Sequence, residues 1–281
     1  MSAVRGSAII HSESHGAAST GMGSQGEPVM WRIRLFLCIA ALLVLITPGG
    51  DASQAQTAAA PRTVWIIGDS LTRGLYATGE SQMYRNLLFD EVQARYPGQV
   101  RLLFWQEMCS LARLEERWDR IEDVPPPDIL FLELGLNDVV QTSGCEHVPD
   151  DAWQAHLGAV LDRFLAMSPN VQIVVGTIPW SGWPEDHAMR LRARAYNYWI
   201  LEQAEVRGLV VADLWAATLD RQDGLSSHEE PNPFPPAYRG DGFHPNNLGH
   251  RRLAQAFWTA YLLRYEQAGL VYLPVQTHRL R

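Results

Sequence analysis

Ser70 closes the tripeptide Gly68-Asp69-Ser70, directly after the apolar, β-branched run Thr63–Ile67, and Gly74 follows closely. Glycine lets a chain turn sharply, and a serine at such a turn presents its hydroxyl at the edge of a sheet, where a nucleophile must stand. On its own the tripeptide is ambiguous, because a serine before a helix also serves as an N-cap. Asp241 and His244 supply the partners that a serine nucleophile needs, three residues apart in Asp-Gly-Phe-His-Pro. At that spacing a carboxylate can hold the imidazole Nδ1–H and leave Nε2 to accept the serine proton. The same residues also suit a plain turn in which Asp241 caps backbone and His244 lies on the surface. Asn137, in Gly135-Leu136-Asn137-Asp138, carries two side-chain N–H donors that can face a developing oxyanion. Asp138 is expected to hold that loop through backbone hydrogen bonds. Asn, Asp and Gly also favour turns without any catalysis.

These residues need elements to place them. Short apolar runs recur at Thr63–Ile67, Val100–Trp105, Ile129–Glu133, Val171–Thr177 and Leu209–Asp213, each bounded by Pro, Gly or polar residues. Stretches with helical spacing lie between and after them, at Gln82–Tyr96, Leu111–Ile121, Asp151–Met167, Asp186–Val206 and Leu248–Gln267. Near-continuous apolar strands alternating with helices predict one doubly wound α/β domain around a parallel sheet covered on both faces. Ligands bind beyond the carboxyl ends of such strands. That rule selects Gly68–Gly74, Met108–Ser110 and Gly135–Asp138, and gives the Pro-rich loop Glu229–Pro245 a place at the same edge.

Taken together, Gly-Asp-Ser-Leu after the first strand, Gly-x-Asn-Asp after the third and Asp-x-x-His before the last helix resemble the SGNH/GDSL hydrolase family over about Val64–Ala268. The resemblance implies a flavodoxin-like three-layer α/β/α sandwich with a central five-stranded parallel sheet. It implies Ser70 as nucleophile, His244 as general base and acid, and Asp241 as the orienting carboxylate. It also implies an oxyanion hole made by the Ser70 backbone N–H, a backbone N–H of the second block and the Asn137 side chain. The second block departs from the family, which has glycine there, since Met108-Cys109-Ser110-Leu111 contains none. A backbone donor needs no glycine unless φ is positive, so Ser110 takes the position, with Cys109 as its rival.

Composition limits the chemistry further. The 281 residues are 47% hydrophobic and 19% charged, a balance that disfavours disorder, collagen and coiled coil. A net charge of -8 disfavours nucleic-acid partners. All 23 basic residues are arginine, which excludes lysine Schiff bases, Ser-Lys dyads and a phosphate-loop lysine. No Gly-x-Gly-x-x-Gly fingerprint or metal-ligand spacing points to a cofactor or a metal. His187, His228 and His250 read as surface or capping residues, and Arg190, Arg192 and Arg194 as a solvated helix face. Trp180 and Trp183, in the loop after the fourth strand, are candidates for a substrate wall, although packing is the commoner use of tryptophan.

Residues 1–29 show no apolar periodicity and read as a disordered N-terminal extension. Met30 opens a basic start (Arg32, Arg34), the apolar run Leu35–Ile46 and the small-residue stretch Ala52–Ala60, the three parts of an export signal over 30–57. An uncleaved membrane anchor is the other reading of that segment, and membrane contact is expected only then. The hydrolase-like domain then spans 62–281. Export to the periplasm or the medium permits disulfides, and Cys109 and Cys145 are the two cysteines left beyond Cys38. They form either a bridge or two separate thiols. The expectation is an exported serine esterase that hydrolyses carboxylic esters, short acyl groups on small molecules or carbohydrate being favoured. An acyltransferase to a carbohydrate hydroxyl and a non-catalytic carbohydrate-binding domain are the alternatives.

Overall fold

A computed structural model of the chain describes residues 60–106, 108–142, 144–225 and 243–267. Asp241, His228 and the segments 1–29 and 30–57 lie outside the described residues. Five parallel strands form one sheet: β1 (Arg62–Ile67), β2 (Val100–Trp105), β3 (Ile129–Leu132), β4 (Gln172–Gly176) and β5 (Val210–Ala212), in the order β2-β1-β3-β4-β5. This is the flavodoxin-like order, in which the direction of strand addition reverses between β1 and β3.

Nine α-helices connect and cover the strands among the described residues: α1 (Ser70–Arg73), α2 (Tyr84–Arg95), α3 (Leu111–Glu116), α4 (Trp118–Glu122), α5 (Leu136–Val140), α6 (Asp150–Met167), α7 (Ala188–Val206), α8 (Leu214–Thr218) and α9 (Asn247–Tyr261). None of these helices is long and apolar enough to cross a membrane. The two-residue period of the strands decides which helices each face receives. Trp65 on β1 stands level with Leu130 on β3, and its ring meets Phe164 of α6 edge-on at 6.3 Å. Ile66 and Phe131, one step along, face the other way, where Phe131 meets Phe257 and Tyr261 of α9 at 5.7 and 5.9 Å. Helices α2, α8 and α9 pack together on that second face, and α3, α6 and α7 on the first. Trp65, Phe131, Phe164 and Phe257 are all fully buried. Each contributes about 2–3 kcal/mol of apolar burial, which is why the central strands carry no polar residue between Val64 and Ile67.

Two differences from the expected elements have physical causes. The helix expected over Leu111–Ile121 is broken at Arg117 (φ -100°, ψ 12°), so that α3 and α4 bury Leu111 and Leu114, then Trp118 and Ile121, in separate directions. The last α-helix stops at Tyr261 and continues as a π-helical turn over Leu262–Glu266, where Tyr265 Oη donates to the Ile173 carbonyl (3.1 Å).

Register then sets the height of the loops. Ile67, Trp105 and Leu132 stand level at the carboxyl ends of β1, β2 and β3. The loops that carry Ser70, Ser110 and Asn137 therefore leave the sheet side by side, at the point where the strand order reverses.

Candidate active site

The turn after β1 is built for close approach. A Cβ on Gly68 would fall 2.0 Å from Thr72 Oγ1 and 2.7 Å from the Glu133 carbonyl oxygen, so only glycine lets the turn that carries Ser70 lie against β3. Asp69 caps α1, its Oδ1 accepting from the Leu71 N–H at 2.9 Å. At the other end of that single turn, the buried Arg85 donates from Nη1 to the carbonyls of Thr72 (2.9 Å) and Arg73 (3.0 Å). Ser70, the first residue of α1, is thus held on both sides. Its Oγ lies 2.8 Å from His244 Nε2, 174 residues along the chain.

His244 precedes α9, whose start is fixed by Asn246: its Oδ1 accepts from the N–H groups of Leu248 (2.9 Å) and Gly249 (3.0 Å), and its Nδ2 donates to the carbonyls of Asp223 and Leu225. The Tyr76 ring stands 5.6 Å from the His244 ring, on a backbone in the left-handed region (φ 65°) that a non-glycine residue adopts only under strain.

After β3, Gly135 (φ 119°) turns the chain where a Cβ would press on Ile178, and α5 brings Asn137 beside Asp69. Asn137 Nδ2 donates to Asp69 Oδ2 (3.0 Å), and Thr142 Oγ1 donates to Asn137 Oδ1 (2.8 Å). One amide hydrogen is then committed to Asp69, and the second has no acceptor among the described residues.

The second block lies against the same loop. Ser110 is extended (φ -151°, ψ 170°), so the missing glycine imposes no backbone strain. Its side chain is occupied elsewhere: Oγ accepts from the Arg113 N–H (3.2 Å) as the cap of α3 and donates to the Glu146 carbonyl. Any part Ser110 takes in an oxyanion hole therefore falls to its backbone N–H. Cys109 and Cys145 are joined by a disulfide with Cα atoms 6.0 Å apart, a usual span. Asp138 Oδ2 accepts from the Leu111 N–H (3.3 Å), a second tie between the loops.

Two buried carboxyl groups, Asp69 and Glu133, sit behind Ser70. Burial raises the Asp69 pKa from 3.8 to about 6, opposed by the Leu71 N–H and by the nearby His244, and reinforced by Asp138. Glu133 is pushed well above the carboxylate range, first by burial and then by the Asp69 charge. Asp69 holds two donors, whereas neither Glu133 oxygen has a hydrogen-bond partner among the described residues. Glu133 accordingly keeps the proton and Asp69 carries the charge.

This makes a linkage prediction. Because the folded pKa of Asp69 is above its ordinary 3.8, this group favours the folded state below about pH 3.8 and loses that contribution as pH rises through about 6. Two pH units correspond to about 3 kcal/mol. Asp69→Asn should therefore improve its stability relative to wild type between pH 4 and pH 8 by up to about 3 kcal/mol, read by urea unfolding at both pH values. A difference independent of pH would contradict the assignment.

Other expected site residues fall elsewhere. Trp180 and Trp183, the candidates for a substrate wall, are only 3% and 4% exposed. Trp180 Nε1 donates to the Trp183 carbonyl, and the Trp183 ring packs 6.0 Å from Phe243, so both are packing residues. His250, expected at the surface or as a cap, is fully buried, stacked on Tyr84 and placed to accept from the Tyr84 N–H (3.4 Å) at the start of α2, and burial lowers its pKa to about 4. His187 does cap α7, its Nδ1 accepting from the Met189 N–H (3.3 Å). The arginine face is partly internal, since Arg190 Nη1 donates to the Trp183 carbonyl and Arg192 Nη1 to that of Val139. Sequence reading missed Thr142 and Glu133. The polar Glu133 at the end of an otherwise apolar strand was the available signal for the second, and Thr142 had none.

The sequence model of the GDSL-like lipase/acylhydrolase family matches residues 66–252, which include Ser70, Asn137 and His244. The chain belongs to that family. This GDSL-like chain is accordingly a carboxylic ester hydrolase. No curated protein matches its sequence. Among solved structures, it is similar to LAE5, described as an alpha/beta hydrolase enzyme from the metagenome of Lake Arreo, Spain: 27% identity over 72% of this chain and 95% of that one, TM-score 0.54. It shares the fold of Axe2, described as an acetylxylan esterase from Geobacillus stearothermophilus, with 24% identity over 72% of this chain and 94% of that one, TM-score 0.55. Variants of Axe2 at a serine, an aspartate and a histidine are described as catalytic mutants, and the last two positions are three apart.

Proposed function

We propose that this GDSL-like hydrolase cleaves short-chain carboxylic esters, O-acetyl groups on carbohydrate among them, through a covalent acyl-enzyme on Ser70. The 2.8 Å contact between Ser70 Oγ and His244 Nε2 carries the reading. His244 takes the hydroxyl proton as Ser70 Oγ attacks the ester carbonyl. The oxygen of the tetrahedral intermediate gathers negative charge, which the backbone N–H groups of Ser70 and Ser110 and the second Asn137 amide hydrogen stabilise. As the carbonyl reforms, His244 gives the proton to the departing alcohol. Water then repeats the attack on the acyl-enzyme, with His244 again as base, and releases the acid. Asp241 takes the orienting role, in keeping with its three-residue spacing from His244, the same spacing as in Axe2.

The substrate class is supported by the fold shared with an acetylxylan esterase. Export is supported by the three-part segment 30–57 and by the Cys109–Cys145 bridge, which suits an oxidising compartment.

A series of p-nitrophenyl esters from acetate to palmitate, together with acetylated xylo-oligosaccharides, tests the reading. The expected kcat/KM peaks at acetate or butyrate and falls by about tenfold or more at octanoate, as an acyl pocket closed to longer chains requires. Free acetic acid should be released from the oligosaccharide whether or not an acceptor sugar is present. A maximum at long acyl chains, or acyl groups recovered on the acceptor instead of as acid, would contradict it.

A further inference from the structure

We infer that Thr142 is a positioning residue, which fixes the orientation of the Asn137 carboxamide for oxyanion binding. The inference rests on the role given to Asn137 above and adds a residue to that machinery.

A carboxamide rotates about a broad, nearly two-fold torsion, so nothing intrinsic to Asn137 decides where its oxygen and its nitrogen point. The two ends meet different chemistry here. Nδ2 lies 3.0 Å from Asp69 Oδ2, and Oδ1 lies 2.8 Å from Thr142 Oγ1. Ionised Asp69 only accepts, so the atom facing it is the nitrogen. The Thr142 hydroxyl then donates to the oxygen at the opposite end. With both contacts made, the remaining amide hydrogen has a fixed direction. With Thr142 Oγ1 removed, one restraint is left and the carboxamide can swing about it. A donor that must be reoriented in the transition state stabilises charge less than one already in place.

The backbone around Thr142 serves this contact. Gln141, in the left-handed region (φ 52°, ψ 52°), ends α5 and turns the chain back toward Asn137. Such a conformation is costly for a side chain with a Cβ. The Thr142 N–H donates to the Asn137 carbonyl (3.2 Å), and the Thr142 carbonyl accepts from the Cys145 N–H (3.2 Å) and from His147 Nε2 (2.9 Å). The disulfide from Cys145 to Cys109 anchors the same turn to the second block. All these bonds involve backbone or other side chains, so a substitution that removes only the Thr142 hydroxyl leaves them intact. Thr142 is exposed, and its hydroxyl has no packing role to lose.

The test is kcat and KM on p-nitrophenyl acetate for Thr142→Val, Thr142→Ala, Thr142→Ser, Asn137→Ala and the double variant Thr142→Val/Asn137→Ala, with thermal melts as a check on folding. Thr142→Val and Thr142→Ala should each lower kcat roughly fivefold to tenfold, the value of one lost hydrogen bond, with KM changed by less than about twofold. Thr142→Ser, which keeps the donor, should stay within about twofold of wild type. Asn137→Ala alone should lower kcat by about 10²–10³-fold. In that background Thr142→Val should cost nothing more, because the carboxamide it orients is gone. Wild-type kcat in both Thr142→Val and Thr142→Ala, or an equal loss with and without Asn137, would overturn the positioning role and leave the oxyanion role of Asn137 standing. Near-wild-type kcat in Asn137→Ala would overturn both.

Discussion

Ser70→Ala is expected to lower kcat on a short-chain ester by at least about 10⁴-fold, the scale of loss when a triad nucleophile is removed. The size follows from the chemistry: without the hydroxyl no acyl-enzyme forms, and what is left is water attack assisted by the oxyanion donors and His244. Stability should change by less than about 0.5 kcal/mol, since the substitution touches no structural contact of the turn. Asp69 provides the cap of α1, Arg85 holds its far end, and Gly68 sets its approach to β3. A melt matching wild type combined with lost turnover separates catalysis from folding. Turnover within tenfold of wild type would place the nucleophile elsewhere.

His244→Ala should have an effect of similar size, about 10⁴-fold or more in kcat, through a different defect. The hydroxyl remains, but at neutral pH it has no acceptor for its proton and the departing alcohol has no donor. The substitution also opens a space beside Ser70 Oγ, next to the Tyr76 ring. Imidazole added to this variant should restore part of the rate in a saturable manner, whereas Ser70→Ala should not respond. No rescue in a folded His244→Ala protein, with kcat near wild type, would show that the 2.8 Å contact is not a proton path.

Much of this arrangement was legible in the residues, for reasons the structure makes plain. Strands buried on both faces read as unbroken apolar runs, and β1 and β3 fall within the runs at Thr63–Ile67 and Ile129–Glu133 to within a residue at each end. Long helices announce themselves by period, as α6 and α7 do. Helices of one turn carry no period, so α1, α5 and α8 are visible only in coordinates, although two of them position Ser70 and Asn137.

Contacts that depend on rotamers were equally hidden. Gly-Asp-Ser and Gly-x-Asn-Asp each mark a turn, but nothing in their spacing says that the Asp69 side chain reaches across to Asn137, 68 residues away. Thr142 looks like any polar loop residue until Gln141 turns the chain back. The tryptophans failed in the opposite direction. A loop after a strand was reason to expect Trp180 at the substrate, but its backbone N–H donates to Thr218 Oγ1 (2.9 Å), its indole N–H donates to the Trp183 carbonyl (3.1 Å), and the ring is buried. His250 is buried because its ring stacks on Tyr84, and a lone histidine on a helix shows no trace of that in its own sequence context.

The measurement that bears most directly on the account is covalent labelling by a p-nitrophenyl alkylphosphonate, a tetrahedral phosphorus ester that reacts only with an activated hydroxyl. Intact-mass spectrometry of the inactivated protein should show one adduct per chain. Peptide mapping should place it on Ser70, and neither Ser70→Ala nor His244→Ala should label at a comparable rate. An enzyme that turns over esters yet takes no adduct at Ser70, or that labels as fast without His244, would contradict it.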